Sequence, residues 1–114
     1  MTKTEKEHFV RHKSAEHVPE KNEKIMWSVH AINKLRVEGL RKAEVEELLK
    51  ECIIIEDYPT QTRPLPDCLV LGFLDRDPVH AVVAIDSDFD RIFVVTVYRP
   101  TPERWKDDWE KRKK

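Results

Sequence analysis

The hydrophobic period of this chain changes at Cys52, and that change limits the folds open to it. Before it, Val45, Leu48, Leu49 and Cys52 recur at i, i+3, i+4 and i+7, the spacing of a helix with one apolar face. After it come short runs rich in β-branched residues: Ile53-Ile54-Ile55-Glu56-Asp57-Tyr58, then Cys68 to Leu74, Val79 to Ile85 and Ile92 to Tyr98. The links between these runs are a proline-rich loop over 59–66, the turn Asp75-Arg76-Asp77-Pro78 and the hairpin loop Asp86-Ser87-Asp88-Phe89-Asp90. A parallel crossover needs about a dozen residues, usually a helix, so these short links predict an antiparallel meander of four strands.

Helices flank that meander. Ser28 suits an N-cap and Gly39 a C-cap, which frames a helix beginning at Val29 with Val29, Ile32 and Leu35 as its apolar stripe. A second helix runs from about Lys42 to Glu51, and the short link makes the two a hairpin. Thr101-Pro102-Glu103 reads as N-cap, proline at the first helical position and an acid in the first turn. It predicts a C-terminal helix with Trp105, Trp109 and Arg112 on one face. The expected fold is therefore α+β: two N-terminal helices, a four-stranded antiparallel meander sheet and a C-terminal helix. Residues 1–24, whose only large apolar side chains are Phe9, Val10 and Val18, read as a polar N-terminal extension adding little to the core, with a single domain over 25–114. His8 and His12 lie one helical turn apart and could share a metal; in a polar tail, they and His17 are more ordinarily solvated, and no metal or other cofactor is expected.

Charge narrows the function. The 114 residues are 38% charged with a net charge of −1, which excludes a uniformly basic nucleic-acid coat. The distribution is uneven: 52–98 holds 3 basic and 8 acidic residues, whereas 99–114 holds 7 basic and 4 acidic. No apolar run approaches the ~18 residues of a membrane span, and the N-terminus has no apolar signal core; the chain is expected to be cytoplasmic. Cys52 and Cys68 form no zinc spacing and read as buried thiols.

Chemistry-bearing residues are few. His30 and Lys34, four residues apart, share a helix face. His80 lies within the third strand of the meander. If opposing residue numbers in the last hairpin sum to an even value, His80 shares a face with Thr96 and Tyr98; if odd, it faces the side of Val95 and Val97. The sequence leaves both registers open.

Over about residues 26–112, the order Ser28-x-His30-Ala31-x3-Leu35, Gly39-Leu40, Glu44-Val45, Ile55-Glu56-Asp57-Tyr58-Pro59, Leu69-Val70-Leu71-Gly72, Pro78-Val79-His80-Ala81 and Val95-Thr96-Val97-Tyr98-x-Pro100 with Trp105 resembles a small bacterial domain-of-unknown-function family grouped with RelE-like toxins in the barnase/EndoU/colicin/RelE ribonuclease superfold. The resemblance implies metal-independent cleavage of mRNA, ribosome-bound in some relatives, by one member of a toxin–antitoxin pair. The implied catalytic set is His80, His30, Tyr98 and Thr96, with Lys34 binding phosphate; Arg36, close by on a different part of the helix surface, could add a second phosphate-binding charge. The implied partners are RNA and a small antitoxin of zinc-finger type; separately, residues 1–24 could be an interaction element for an antitoxin or for a second copy of the chain. Glu38 departs from the pattern, since relatives often carry arginine there. That departure and the acidic middle favour the rival expectation, a non-catalytic protein- or RNA-binding module on a degenerate RelE-like fold.

Overall fold

The computed structural model describes residues 1–58 and 64–114. Among them lie α1 (Lys3–Glu16), β1 (Ile25–Trp27), α2 (Val29–Glu38), α3 (Lys42–Leu48) with a 3-10 turn over Leu49–Glu51, and then β2 (Ile53–Tyr58), β3 (Asp67–Leu74), β4 (Asp77–Asp86) and β5 (Arg91–Tyr98). The strands form one sheet in the order β1-β5-β4-β3-β2. Pro59 and its neighbours to 63 in the expected loop fall outside the described residues. No helix among the described residues is long and apolar enough to cross a membrane.

The fold is α+β, but its layout corrects the expectation. The sheet has five strands and is mixed: β2 to β5 form the antiparallel meander, and β1 adds a parallel edge by pairing Ile25, Met26 and Trp27 with Ile92, Phe93 and Val94. Three residues are too few to display a period, so β1 leaves no signal in the sequence. The expected C-terminal helix is absent. Thr101 O accepts from the Arg104 and Trp105 amides, which starts a turn, but the chain then folds back with Trp105 bridged to Arg112. Asp108 accepts the Glu110 and Lys111 amides, Lys106 N–H donates to Lys111 O, and Trp109 adopts a left-handed conformation at φ 62°. These bonds use the backbone groups a helix would need. We call residues 99–114 the strap.

The two central helices cap as expected: the Ser28 hydroxyl accepts from Ala31 N–H, and Gly39 closes α2 at φ 65°. The buried face of α2 differs from the expected stripe. Val29 is 79% exposed and Ile32 42% exposed, while Ala31 and Leu35 are buried. The reason is position: α2 continues where β1 stops and lies along the edge of β5, tied by Ser28 N–H to Val94 O and Ser28 Oγ to Val95 O.

One face of the sheet carries the core. Val70 of β3, Val79, Ala81, Val83 and Ile85 of β4, and Ile92, Val94 and Val97 of β5 pack under Leu35, Val45, Leu49 and Val10. Gly72 lets α3 approach β3; a Cβ there would lie 2.5 Å from Leu48 Cδ1. Cys52 and Cys68 are buried in this layer, and burial pushes both thiols up to about 12.

Residues 3–16 are a packed helix, contrary to the reading of 1–24 as a segment adding little to the core. Thr2 and Glu5 make a capping box, and Val10 is fully buried. The other anchors are polar. Lys6 Nζ reaches Asp57 at 2.5 Å, Glu7 accepts the Ile54 amide at 2.8 Å on the outer edge of β2, Arg11 donates to Cys52 O at 2.7 Å, and Lys13 pairs with Asp90 at 2.8 Å. Glu7 thereby blocks part of an otherwise open strand edge. His17 is not solvated as expected: its Nδ1 accepts from the Lys24 and Ile25 amides, and its Nε2 lies 3.4 Å from Glu46, which also accepts from Trp27 Nε1.

Two substitutions test this layout in urea melts. Val10→Ala is expected to cost about 2 kcal/mol, since it removes two buried carbons from a packed site; a cost near zero would show that α1 does not share the core. Gly72→Ala is expected to cost about 1–3 kcal/mol by forcing Leu48 away from β3.

Candidate functional site: a cationic groove beside a buried histidine

The register of the last hairpin decides where the polar residues stand. Near the turn, Asp86 pairs with Arg91 and Val83 with Val94; past an irregularity between Val82 and Val83, Val82 pairs with Thr96 and His80 with Tyr98. One additional β5 residue is thus accommodated at Val95. Without it, His80 would face Val97. With it, Val97 turns into the core while Thr96 and Tyr98 join His80 on the opposite face. Both registers weighed from the sequence therefore occur, one on each side of the bulge.

The strap covers His80. Its ring has no exposure and sits edge-on to Trp105, with centroids 4.3 Å apart. Nε2 is 2.7 Å from Trp109 O and Nδ1 is 3.2 Å from the Tyr98 hydroxyl. A carbonyl only accepts, so Nε2 carries the proton; in the neutral ring Nδ1 then accepts from Tyr98 O–H. Burial lowers the His80 pKa from its ordinary 6.5, which favours this neutral form.

Around Tyr98 opens a groove of about 500 Å³ lined by Lys34, Glu38, Arg99, Arg104, Trp105 and Arg112, among others. Its lining holds four cations and one carboxylate, and Glu56 and Asp77 pair with Arg112 and Arg99 from outside it. Among the described residues Lys34 and Arg104 form no ion pair, so both face the groove uncommitted. Arg99 is fixed by Glu38: its amide donates to Glu38 Oε1 at 2.5 Å and its Nε to Glu38 O at 2.9 Å. Glu38, the departure noted in the sequence, thus ties the end of α2 to the end of β5 and orients an arginine. Arg112 donates both Nε (2.7 Å) and Nη2 (3.0 Å) to Glu56, and its guanidinium lies over Trp105. This pairing holds the Glu56 carboxyl below its usual range.

The six expected site residues divide. His30 Nε2 lies 3.0 Å from Thr96 Oγ1, and Lys34, one turn further along α2, lines the groove with Tyr98. His80 sits behind Tyr98 and does not reach the surface. Arg36 is exposed and does not line the groove; two residues beyond Lys34, it falls on another part of the helix surface. Sequence reasoning missed Arg99, Arg104, Arg112 and Glu56. The excess of basic residues in 99–114 is the available signal, and a C-terminal helix would have spread those side chains around its surface. Elsewhere, His8 and His12 stack at 5.6 Å over a cavity of about 540 Å³; among the described residues no group of three or more metal-binding side chains converges.

Residues 27–99 match a family whose description is a domain of unknown function, DUF4258. The chain belongs to that family. The DUF4258 region runs from the end of β1 through β5, so it includes His30, Lys34, Glu38, Glu56, His80, Thr96, Tyr98 and Arg99 and ends before Arg104, Trp105 and Arg112. Helix α1 and the strap from Pro100 on lie outside the matched residues. No curated protein matches the chain, and no solved structure matches it.

Burial makes His80 a source of acid sensitivity. The unfolded chain binds a proton on this residue near pH 6.5, whereas the folded chain does so only at lower pH. The stability tied to neutral His80 is therefore complete above pH 6.5 and is lost as pH falls from there toward the folded value. His80→Gln is expected to cost about 1–3 kcal/mol at pH 7 through its altered buried hydrogen bonds. It should also flatten the fall in stability between pH 7 and 5, read from paired urea melts.

Proposed function

We propose that the groove binds the phosphate backbone of single-stranded RNA and that the chain is a toxin-like, metal-independent endoribonuclease. The observation that carries this reading is the ring of Lys34, Arg99, Arg104 and Arg112 around Tyr98, with His30 one helical turn from Lys34. Successive phosphates are what several convergent cations around a narrow groove suit, and arginine forks match phosphate oxygens in pairs. His30, exposed and hydrogen-bonded to Thr96, is placed to take the proton of a ribose 2′-hydroxyl as its oxygen attacks the adjacent phosphorus. The cations hold the charge that develops on the phosphoryl oxygens. The Tyr98 O–H is committed to His80 Nδ1, so Tyr98 offers its oxygen to the groove as an acceptor, and the leaving 5′-oxygen takes its proton from water. The role first given to His80 shifts: with both nitrogens engaged, it positions the Tyr98 hydroxyl and does not meet substrate. The resemblance to RelE-like toxins points the same way and adds an antitoxin as partner.

That burial of His80 also favours a second reading, a non-catalytic RNA-binding module using the same groove. Labelled RNA in EDTA separates the two. Lys34→Ala and Arg104→Ala are each expected to weaken binding several-fold and to reduce the slope of log affinity against log salt by about 0.7. His30→Ala should leave affinity nearly unchanged and abolish cleavage. Binding indifferent to both cation deletions would remove the groove from the account, and RNA bound but left intact by the wild-type chain would select the binding module.

A further inference from the structure

Arg112 belongs to two places at once. It lines the groove, and its fork is closed on Glu56 of β2, which fastens the strap across the sheet. Past Arg99, which Glu38 and Gly39 hold, the strap has few other holds: Trp105 is its one buried side chain beyond Pro100, Trp109 contributes a carbonyl to His80, and residues 106–108 and 110–114 are exposed. Arg112 is itself more than half exposed, and ion pairs in such positions are weak and salt-sensitive. A phosphate group presents the guanidinium with the same paired oxygens as a carboxylate, so the two compete for one fork.

We propose that Arg112 is a switch: a polyanion entering the groove draws Arg112 from Glu56, releases the strap and uncovers His80 and Tyr98. This rests on the reading of the groove as a phosphate site and adds how that site is regulated. Without ligand, the strap keeps the His80 face closed; with ligand, Arg112 becomes part of the binding site and Trp105 lifts from the imidazole. Coupling of this kind is reciprocal. Breaking the clasp from the Glu56 side must therefore both open the strap and strengthen anion binding, because Arg112 no longer has to leave a partner.

Diethyl pyrocarbonate labelling, read histidine by histidine by mass spectrometry, tests the switch with tripolyphosphate as the ligand. His30 is the exposed control and His17, whose side chain is 4% exposed, the buried one. In the wild-type chain alone His80 should label as slowly as His17. Saturating tripolyphosphate should speed His80 labelling several-fold with His17 unchanged. Glu56→Gln should speed it without ligand and should bind tripolyphosphate several-fold more tightly by calorimetry, a gain that mere loosening of the fold would not produce. Tripolyphosphate bound with His80 still protected overturns the switch and leaves the groove standing, as does a Glu56→Gln chain that binds it no more tightly. No binding to the wild-type chain falls on the groove reading and takes the switch with it. Should Glu56→Gln unfold, His17 will label too, and the wild-type comparison decides.

Discussion

The pairing of β4 with β5 governs the chemistry of this molecule. A strand alternates its side chains between two faces, so a single additional residue exchanges every side chain beyond it. The bulge at Val95 makes that exchange halfway along β5. On the turn side, Ile92 and Val94 fill the core; beyond the bulge, Val97 fills it instead, and Thr96 and Tyr98 emerge on the other face. Without that irregularity Tyr98 would point among the helices, His30 would have no Thr96 to meet and His80 would lack a hydroxyl. The Ser28 hydroxyl accepts from Ala31 N–H and donates to Val95 O, so the same bulged residue also fixes the start of α2.

Charge behaves differently in space than along the chain. The segment 52–98 has a net charge of −5, yet its carboxylates do not act as one block. Asp57 meets Lys6, Asp90 meets Lys13 and Lys24, Asp86 meets Arg91, and Glu56 meets Arg112. Most of these partners come from α1 and the strap, the segments outside the four-stranded meander. The groove, by contrast, gathers its cations from α2, the end of β5 and the strap, with one carboxylate among them. A near-neutral chain thus builds a locally cationic surface because local pairing quenches the acidic residues elsewhere.

Elements with a strong local signal were legible. The period change at Cys52, the β-branched runs and the intervening turns place β2 to β5 to within a residue or two, and Ser28 and Gly39 frame α2. The buried side of α2 was legible only at Leu35: the expected stripe also held Val29 and Ile32, which are exposed, and left out Ala31, which is buried. Edge-on docking against β5 selects the narrower face, where a small side chain allows close approach. Helix α1 was hidden for another reason: it is held by Lys6, Glu7, Arg11 and Lys13, whose stems pack while their charged ends find partners far away in sequence. The strap misled because a good N-cap signal at Thr101 describes only the first turn, and the contacts of Trp105 and Trp109 with His80 lie beyond any local window.

The sequence by itself determined where β2 to β5 and the central helices lie, that those four strands run antiparallel, and which few side chains could carry chemistry. Propensity, capping and link length are local, and they act before any tertiary contact forms. Only the tertiary structure decided the parallel β1 edge, the register that brings His80 to Tyr98, the burial of that histidine and the convergence of Lys34, Arg99, Arg104 and Arg112. Each of these depends on partners dozens of residues apart and on one bulge whose position no local propensity specifies.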